Sequence, residues 1–182
     1  MKKKTIWEMG RLSVEEFHRA DKIPVVVVLD NVRSLNNIGA IFRTCDAFAV
    51  AGIALCGISA TPPSAEIHKT ALGAENSVDW HYYPTTAEAI DALVANGYTI
   101  VCLEQVHGSV SLDKFVPSPD AKYALVLGNE VDGVDQTIVD RADLCLEIPQ
   151  SGTKHSLNVS VSGGVALWAF YSNYESQLNY EL

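Results

Sequence analysis

Three short stretches of this 182-residue chain concentrate side chains capable of chemistry. In the last of them, Leu144 to Trp168, Ser156 and Asn158 bracket Leu157 at the expected start of a helix. Unpaired backbone N–H groups and small hydrogen-bonding side chains can meet a ligand together at such a start, although the same residues also make an ordinary helix N-cap. The first stretch, Asn36-Asn37-Ile38-Gly39-Ala40-Ile41-Phe42-Arg43, places Asn37 at a helix start. Arg43 follows six residues later, where it reads equally as a surface arginine with a buried stem. The middle stretch, Gly128-Asn129-Glu130-Val131-Asp132-Gly133, follows an apolar run and offers a carboxylate between two glycines. Those glycines would allow a backbone to approach a ligand closely.

The elements that must hold these stretches follow from hydrophobic periodicity. Val25 to Leu29 is an unbroken aliphatic run, the pattern of a strand buried on both faces. Ile38, Ile41, Phe42, Cys45, Phe48 and Ala49 recur at helical spacing behind it. Further strands are expected over 52–58, 78–83, 98–103, 123–127 and 144–148, alternating with helices that include one opened by Thr85 with Glu88 three residues on. Ser13-Val-Glu-Glu16 is a capping box for a short helix ending before Pro24. About six βα units imply an α/β fold with a mostly parallel open sheet flanked by helices, whose ligands sit at the carboxyl ends of the strands. Gly163 and Gly164 inside the last helix point to a backbone packing closely on that face, and Val161, Val165, Trp168 and Tyr171 at helical spacing are expected to bury against the rest of the chain or a partner subunit.

Composition narrows the classes. With 48% hydrophobic and 19% charged residues the chain reads as one globular domain. No continuous apolar segment suits a signal peptide or a membrane span, so a cytoplasmic location is expected. Cys45, Cys56, Cys102 and Cys145 stand far apart without a CxxC pair, which argues for reduced thiols and against a metal. The net charge of −9 is uneven. Residues 1 to 43 hold eight of the thirteen basic residues against five acids, a balance of +3, while the remaining 139 carry −12; by charge alone the basic part reads equally as a candidate RNA face and as a solvated tail. GxGxxG and GxxxxGK[ST] are absent, and no GxSxG accompanies His155 and Ser156.

Taken in order, Asn37-x-Gly39-x-x-x-Arg43, Gly128-x-Glu130-x-x-Gly133 and Ile148-Pro149-x-x-Gly152-x-x-x-Ser156-Leu157-Asn158-Val159-Ser160-Val161 resemble the three motifs of the SpoU (TrmH-type) RNA ribose 2'-O-methyltransferases of the SPOUT superfamily. The resemblance runs from about Val25 to Phe170. It implies a C-terminal trefoil knot, a homodimer, and S-adenosylmethionine as cofactor, with a methyl group passed to a ribose 2'-hydroxyl of tRNA or rRNA, tRNA slightly favoured. It divides the chain into a short basic N-terminal extension (1–24), a SPOUT methyltransferase domain (25–173) and a C-terminal tail (174–182).

By the same resemblance Asn37, Arg43, Glu130, Ser156 and Asn158 surround the methyl donor and acceptor. The cofactor is expected against Leu103, Glu104, Gly108, Leu127, Gly128, Asn129, Ile148, Pro149 and Leu157. A guanidinium is too basic to accept the ribose proton. Arg43 is therefore expected to grip the neighbouring RNA phosphate and stabilise the developing alkoxide, with the proton leaving through that phosphate or a water. Asn37 and Glu130 would orient Arg43 and the ribose. Many relatives carry an added RNA-binding domain, and here RNA recognition is expected to rest on the dimer surface, the basic N-terminus, Arg33, Arg43, Lys69 and Lys154. Neither a metal nor a membrane partner is expected. The alternative is a non-catalytic RNA-binding protein that keeps the fold. Gln150, where the motif often has methionine, and Ser162, where alanine is usual, remove no catalytic group.

Overall fold

A computed structural model describes residues 1–5 and 7–174; the expected C-terminal tail, apart from its first residue, lies outside the described residues. Seven parallel strands form one sheet in the order β3-β2-β1-β6-β4-β7-β5. They are β1 (Ile23–Asp30), β2 (Val50–Cys56), β3 (Trp80–Tyr83), β4 (Tyr98–Leu103), β5 (Val110–Ser111), β6 (Lys122–Leu127) and β7 (Leu144–Glu147). About six strands were to be expected from periodicity; the seventh is β5, whose two residues carry no periodic signal. It lies in the long loop after β4 and pairs with β7, Val110 opposite Leu146.

Pleating sorts the aliphatic run of β1 onto two cores. Val25, Val27 and Leu29 face α2 (Leu35–Ala47), α3 (Ala65–Ala71) and α6 (Val159–Tyr174). Val28 faces α4 (Thr86–Ala95) and α5 (Gln136–Val139). Pro24, expected to close the first helix, is the second residue of β1, and the β1–β2 register slips between Ile23 and Val26. A residue without an N–H belongs at such an irregularity. The helix α1 (Val14–Arg19) ends earlier, after opening on the expected Ser13–Glu16 capping box.

The last helix departs from expectation at its start and in what Gly163 meets. It begins at Val159, two residues beyond Leu157, because Asn158 is the N-cap. The Asn158 carbonyl accepts from the Ser162 amide at 2.9 Å, and its Oδ1 accepts from the Ser160 amide at 2.9 Å. The buried face is Val159, Gly163, Ala166, Leu167, Phe170 and Tyr174, whereas Val161, Val165 and Trp168 stay exposed within the chain. Gly163 meets a side chain and no backbone: a Cβ there would stand 2.8 Å from Leu127 Cδ1. Gly164 is less constrained, with the Thr44 methyl 3.8 Å from the same point.

Candidate active site

The carboxyl ends of β6, β4 and β7, adjacent in the sheet, open onto a cavity of about 570 Å³. Leu103, Leu127, Leu146, Ile148 and Leu157 supply its apolar wall; Glu104, Gly128, Asn129, Glu130, Ser156 and Asn158 also line it. A cavity of this size suits a cofactor-sized ligand. Gly108 and Pro149, expected against the cofactor, are not among its lining residues, and neither are Asn37, Arg43, Arg33, Lys69 and Lys154. Gly108 sits in a turn at φ +86°, beyond the wall that Leu103 and Glu104 make.

Asn37 nevertheless belongs to the site through a chain of hydrogen bonds that joins all three motif stretches. Its Nδ2 donates to Glu130 Oε1 at 2.9 Å, and its Oδ1 accepts from Asn158 Nδ2 at 3.1 Å. Glu130 also takes the backbone amides of Arg33 and Ser34, each at 3.1 Å, at the start of α2. Burial pushes the Glu130 carboxyl up, but the bonds from Asn37 and from these amides outweigh it and hold the group below the ordinary range. The positive end of the α2 dipole favours the same charge. Glu130 is thus a carboxylate whose two oxygens are already engaged, a tether more than a base.

The middle loop closes on itself. A Cβ on Gly128 would fall 2.0 Å from the Gly133 carbonyl carbon and 2.1 Å from the Val134 nitrogen. The close approach expected toward a ligand is therefore made to the loop's own backbone. Asn129 and Gly133 exchange backbone hydrogen bonds at 3.0 and 3.2 Å, and Asn129 Oδ1 accepts from the amides of Val131 and Asp132. Glu104 anchors the loop from β4, accepting from the Val134 amide at 3.1 Å and the Gln105 amide at 2.8 Å.

Arg43 stands on the exposed side of α2 and, among the described residues, makes no hydrogen bond or ion pair. It does not touch Asn37 or Glu130, which instead hold each other. Lys69 is paired with Glu66 at 2.6 Å on α3, and Lys154 is exposed on the loop before α6. Sequence reasoning passed over Gln105, Glu147 and His155 as lining residues. Gln105 could have been found, since it follows directly on a strand end; its Nε2 donates to the His155 carbonyl at 2.8 Å. That is the single hydrogen bond among the described residues that engages a backbone group of 150–157.

No His, Cys, Asp and Glu cluster among the described residues is arranged to hold a metal, and no helix is long and apolar enough to cross a membrane.

A seven-stranded parallel sheet with its cavity at the carboxyl ends and three loops tied by Asn37, Glu130 and Asn158 defines a SPOUT-type α/β protein. Residues 24–168 match the model of the SpoU rRNA methylase family, and the chain belongs to that family. It is 32% identical over 145 residues to a 23S rRNA (guanosine-2'-O-)-methyltransferase, RlmB, of Vibrio cholerae, covering 80% of this chain and 58% of that one. It is 29% identical over 153 residues to the mouse tRNA (guanosine(18)-2'-O)-methyltransferase TARBP1, covering 80% of this chain and 9% of that one. Among solved structures, the A. aeolicus TrmH/SpoU tRNA modifying enzyme superposes with a TM-score of 0.78 at 26% identity, over 90% of this chain and 83% of that one. An AdoMet-bound rRNA methyltransferase from Sinorhizobium meliloti gives 0.76 at 28% identity, over 86% and 59%. The chain spans 58–59% of the length of the first bacterial relatives it matches.

Proposed function

We propose that this chain transfers a methyl group from S-adenosylmethionine to the 2'-hydroxyl of a guanosine ribose in tRNA or rRNA. The observation that carries the reading is the Glu130–Asn37–Asn158 network at the cavity, which unites the three stretches that resemble the family's motifs. Guanosine enters through the names of the relatives, which share it across both RNA classes.

The residues present fit the cofactor. Apart from the His155 carbonyl, the backbone groups of Gln150, His155, Ser156 and Leu157 make no hydrogen bond among the described residues, and they line the cavity with an apolar wall of Leu103, Leu127, Ile148 and Leu157, which suits an adenine read by main-chain amides and carbonyls. Gly128, Asn129 and Glu104 complete that side, and Pro149 lies between the lining residues Ile148 and Gln150; Gly108 belongs to the neighbouring loop. When bound, the cofactor supplies an electrophilic methyl group. This chain aligns the ribose against it, and alignment of that kind is worth about 7 kcal/mol or more. Glu130 and Asn37 fix the start of α2, and Asn158 fixes the start of α6, so that Ser156 and Asn158 are presented at a constant spacing. Arg43, with its donors uncommitted, holds the RNA phosphate beside the acceptor and stabilises the developing negative charge; Arg33, Lys154 and Lys69 extend the contact to the RNA backbone.

The working unit in this reading is a homodimer. The helix α6 is apolar on every side, and a helix of that kind is buried in its assembly. The exposed Val161, Val165 and Trp168 supply the face, with the Trp168 ring tilted against Phe48 at 5.8 Å and Tyr171 beside it. The C-terminal knot belongs to the same reading: α6 packs on α2 and β1, across the sheet from β7, and the segment leading to it crosses the β4 loop at the Gln105–His155 contact. Buried, reduced thiols and RNA substrates suit the cytoplasm.

The test is transfer of labelled methyl from S-adenosylmethionine to separated tRNA and rRNA from cells lacking this gene, with wild type and Arg43→Ala. Incorporation into one pool that vanishes in the variant is the expected result. No incorporation with cofactor binding intact would favour the binding-only alternative.

A further inference from the structure

The proposed reaction releases a proton from the ribose hydroxyl, and the groups that line the cavity are unequal as acceptors for it. Both oxygens of Glu130 are taken by Asn37, Arg33 and Ser34, and both oxygens of Glu104 by Gln105 and Val134. A guanidinium cannot serve. Glu147 and Asp132 also face the cavity, but carboxylates are weak bases for an alcohol proton. His155 remains. His155 lines the cavity beside Ser156 and is exposed, and its imidazole makes no hydrogen bond among the described residues. Its backbone is fixed, because Gln105 Nε2 holds the His155 carbonyl at 2.8 Å. An acceptor works best when its own proton exchange falls near the operating pH, and imidazole is the side chain of which that is ordinarily true.

We propose that His155 is a catalytic residue, the proton acceptor for the ribose 2'-hydroxyl, directly or through one water; the inference rests on the methyltransferase reading above. As the ribose oxygen forms its bond to the methyl carbon, the O–H proton passes to the imidazole and the electron pair of the broken carbon–sulfur bond stays on sulfur. The imidazolium then gives the proton to solvent through the open mouth of the cavity. Gln105 is a positioning residue for this step. The charged groups that share the cavity with His155 are Glu104 after β4, Glu147 from β7, and Glu130 and Asp132 from the loop after β6, with Lys154 next to it in sequence and His107 outside the cavity on the Gln105 loop.

The experiment combines single-turnover methyl transfer with a titration that needs no turnover. Transfer into bulk tRNA and into rRNA from cells lacking this gene is measured between about pH 5.5 and pH 9 for wild type, His155→Gln and His155→Ala, since acid–base catalysis of this kind is worth about 10²–10⁴-fold. The imidazole Cε1–H resonances of the five histidines are followed over the same range with S-adenosylhomocysteine bound, the His155 signal being assigned by its loss in His155→Gln. The proposal expects the wild-type rate to rise with pH through the His155 midpoint seen by NMR. Both variants should lose that limb and fall by about 10²-fold or more, with S-adenosylhomocysteine and RNA affinities unchanged, and added imidazole should restore part of the His155→Ala rate. A wild type that methylates RNA and variants that keep both its rate and its limb would overturn the role of His155 while leaving the methyltransferase reading standing. A wild type that methylates neither pool overturns that reading and this inference together.

Discussion

The Glu130 tether can be separated from the rest of the molecule by pH. Glu130→Gln keeps the shape of the side chain but turns an NH2 toward donors, which removes the charge from three hydrogen bonds: the Arg33 amide, the Ser34 amide and Asn37 Nδ2. A shielded hydrogen bond to a charged group is worth about 1.5–3 kcal/mol. Glu130 is exposed, so each bond is discounted to roughly 0.5 kcal/mol, and the loss is about 1.5 kcal/mol. For a chain of this size that lowers the melting temperature by roughly 3–6 °C at neutral pH. The sign with pH follows from the lowered carboxyl: its folded value lies below the ordinary 4.5, so its contribution is complete above the unfolded value and is lost as pH falls through the folded one. The gap between wild type and Glu130→Gln, read by thermal unfolding at close pH intervals, should therefore be constant above about pH 6 and shrink toward zero below the ordinary glutamate range. Comparing the two proteins cancels every other titrating group. A gap that stays the same down to the acid end would show that Glu130 acts through packing, and the tether argument would be wrong.

Gly164→Ala should stabilise α6 by about 0.5–1 kcal/mol, since the new methyl has ordinary contact distance to Thr44, whereas Gly163→Ala pushes Leu127 into the cavity wall and should weaken S-adenosylhomocysteine binding by calorimetry. Gly128→Ala has no room against the Gly133 and Val134 backbone; it should cost about 3 kcal/mol and abolish cofactor binding, and a variant that melts and binds as wild type refutes the closed-loop account. Burial pushes the Cys56 and Cys102 thiols up to about 12 and raises Cys45 and Cys145 as well, so a thiol reagent at about pH 8 should modify the native protein far more slowly than the unfolded chain, in which all four react. Arg43→Lys, which keeps the charge but loses the planar fork, should weaken RNA binding while leaving the pH profile of the chemical step in place; loss of the chemical step alone would sink the phosphate role.

Local rules reached most of the scaffold. Tyr98–Leu103 has the bounds its composition suggests, and the Ser13 and Thr85 caps form as their spacing requires, because these signals lie within a few residues of one another. The two-residue β5 escaped because two positions carry no period, and the start of α6 slipped because Ser156 and Asn158 are both competent caps by type. What no local rule could show is the site's internal wiring. Asn37 reaches Glu130 across 93 positions and Asn158 across 121, and which of these polar groups are spent on each other is a property of the assembled sheet. The glycines were legible as places of close approach, but not what approaches: at Gly128 it is the next turn of its own loop, and at Gly163 a leucine side chain.

The residues that carry the family pattern are, for the most part, committed to holding one another. Glu130 and Asn158 are the ends of one hydrogen-bonded chain with Asn37 between them, and Glu104 and Asn129 spend their oxygens on the middle loop. Among the described residues, groups left free to act on a substrate include Ser156, His155, Asp132 and Glu147 in the cavity and Arg43 outside it. Arg43 rises from α2, and α2 packs against α6, whose uncovered Val161, Val165 and Trp168 make the proposed face for a second copy. A copy seated there would enclose the neighbourhood of Arg43, so association and the placement of that guanidinium are one physical question. Trp168→Glu should answer it: a charge buried in an apolar interface costs several kcal/mol, enough to split the dimer in sedimentation, and RNA binding should fall with it. If the variant becomes a monomer and still binds RNA as wild type does, Arg43 works from one chain alone.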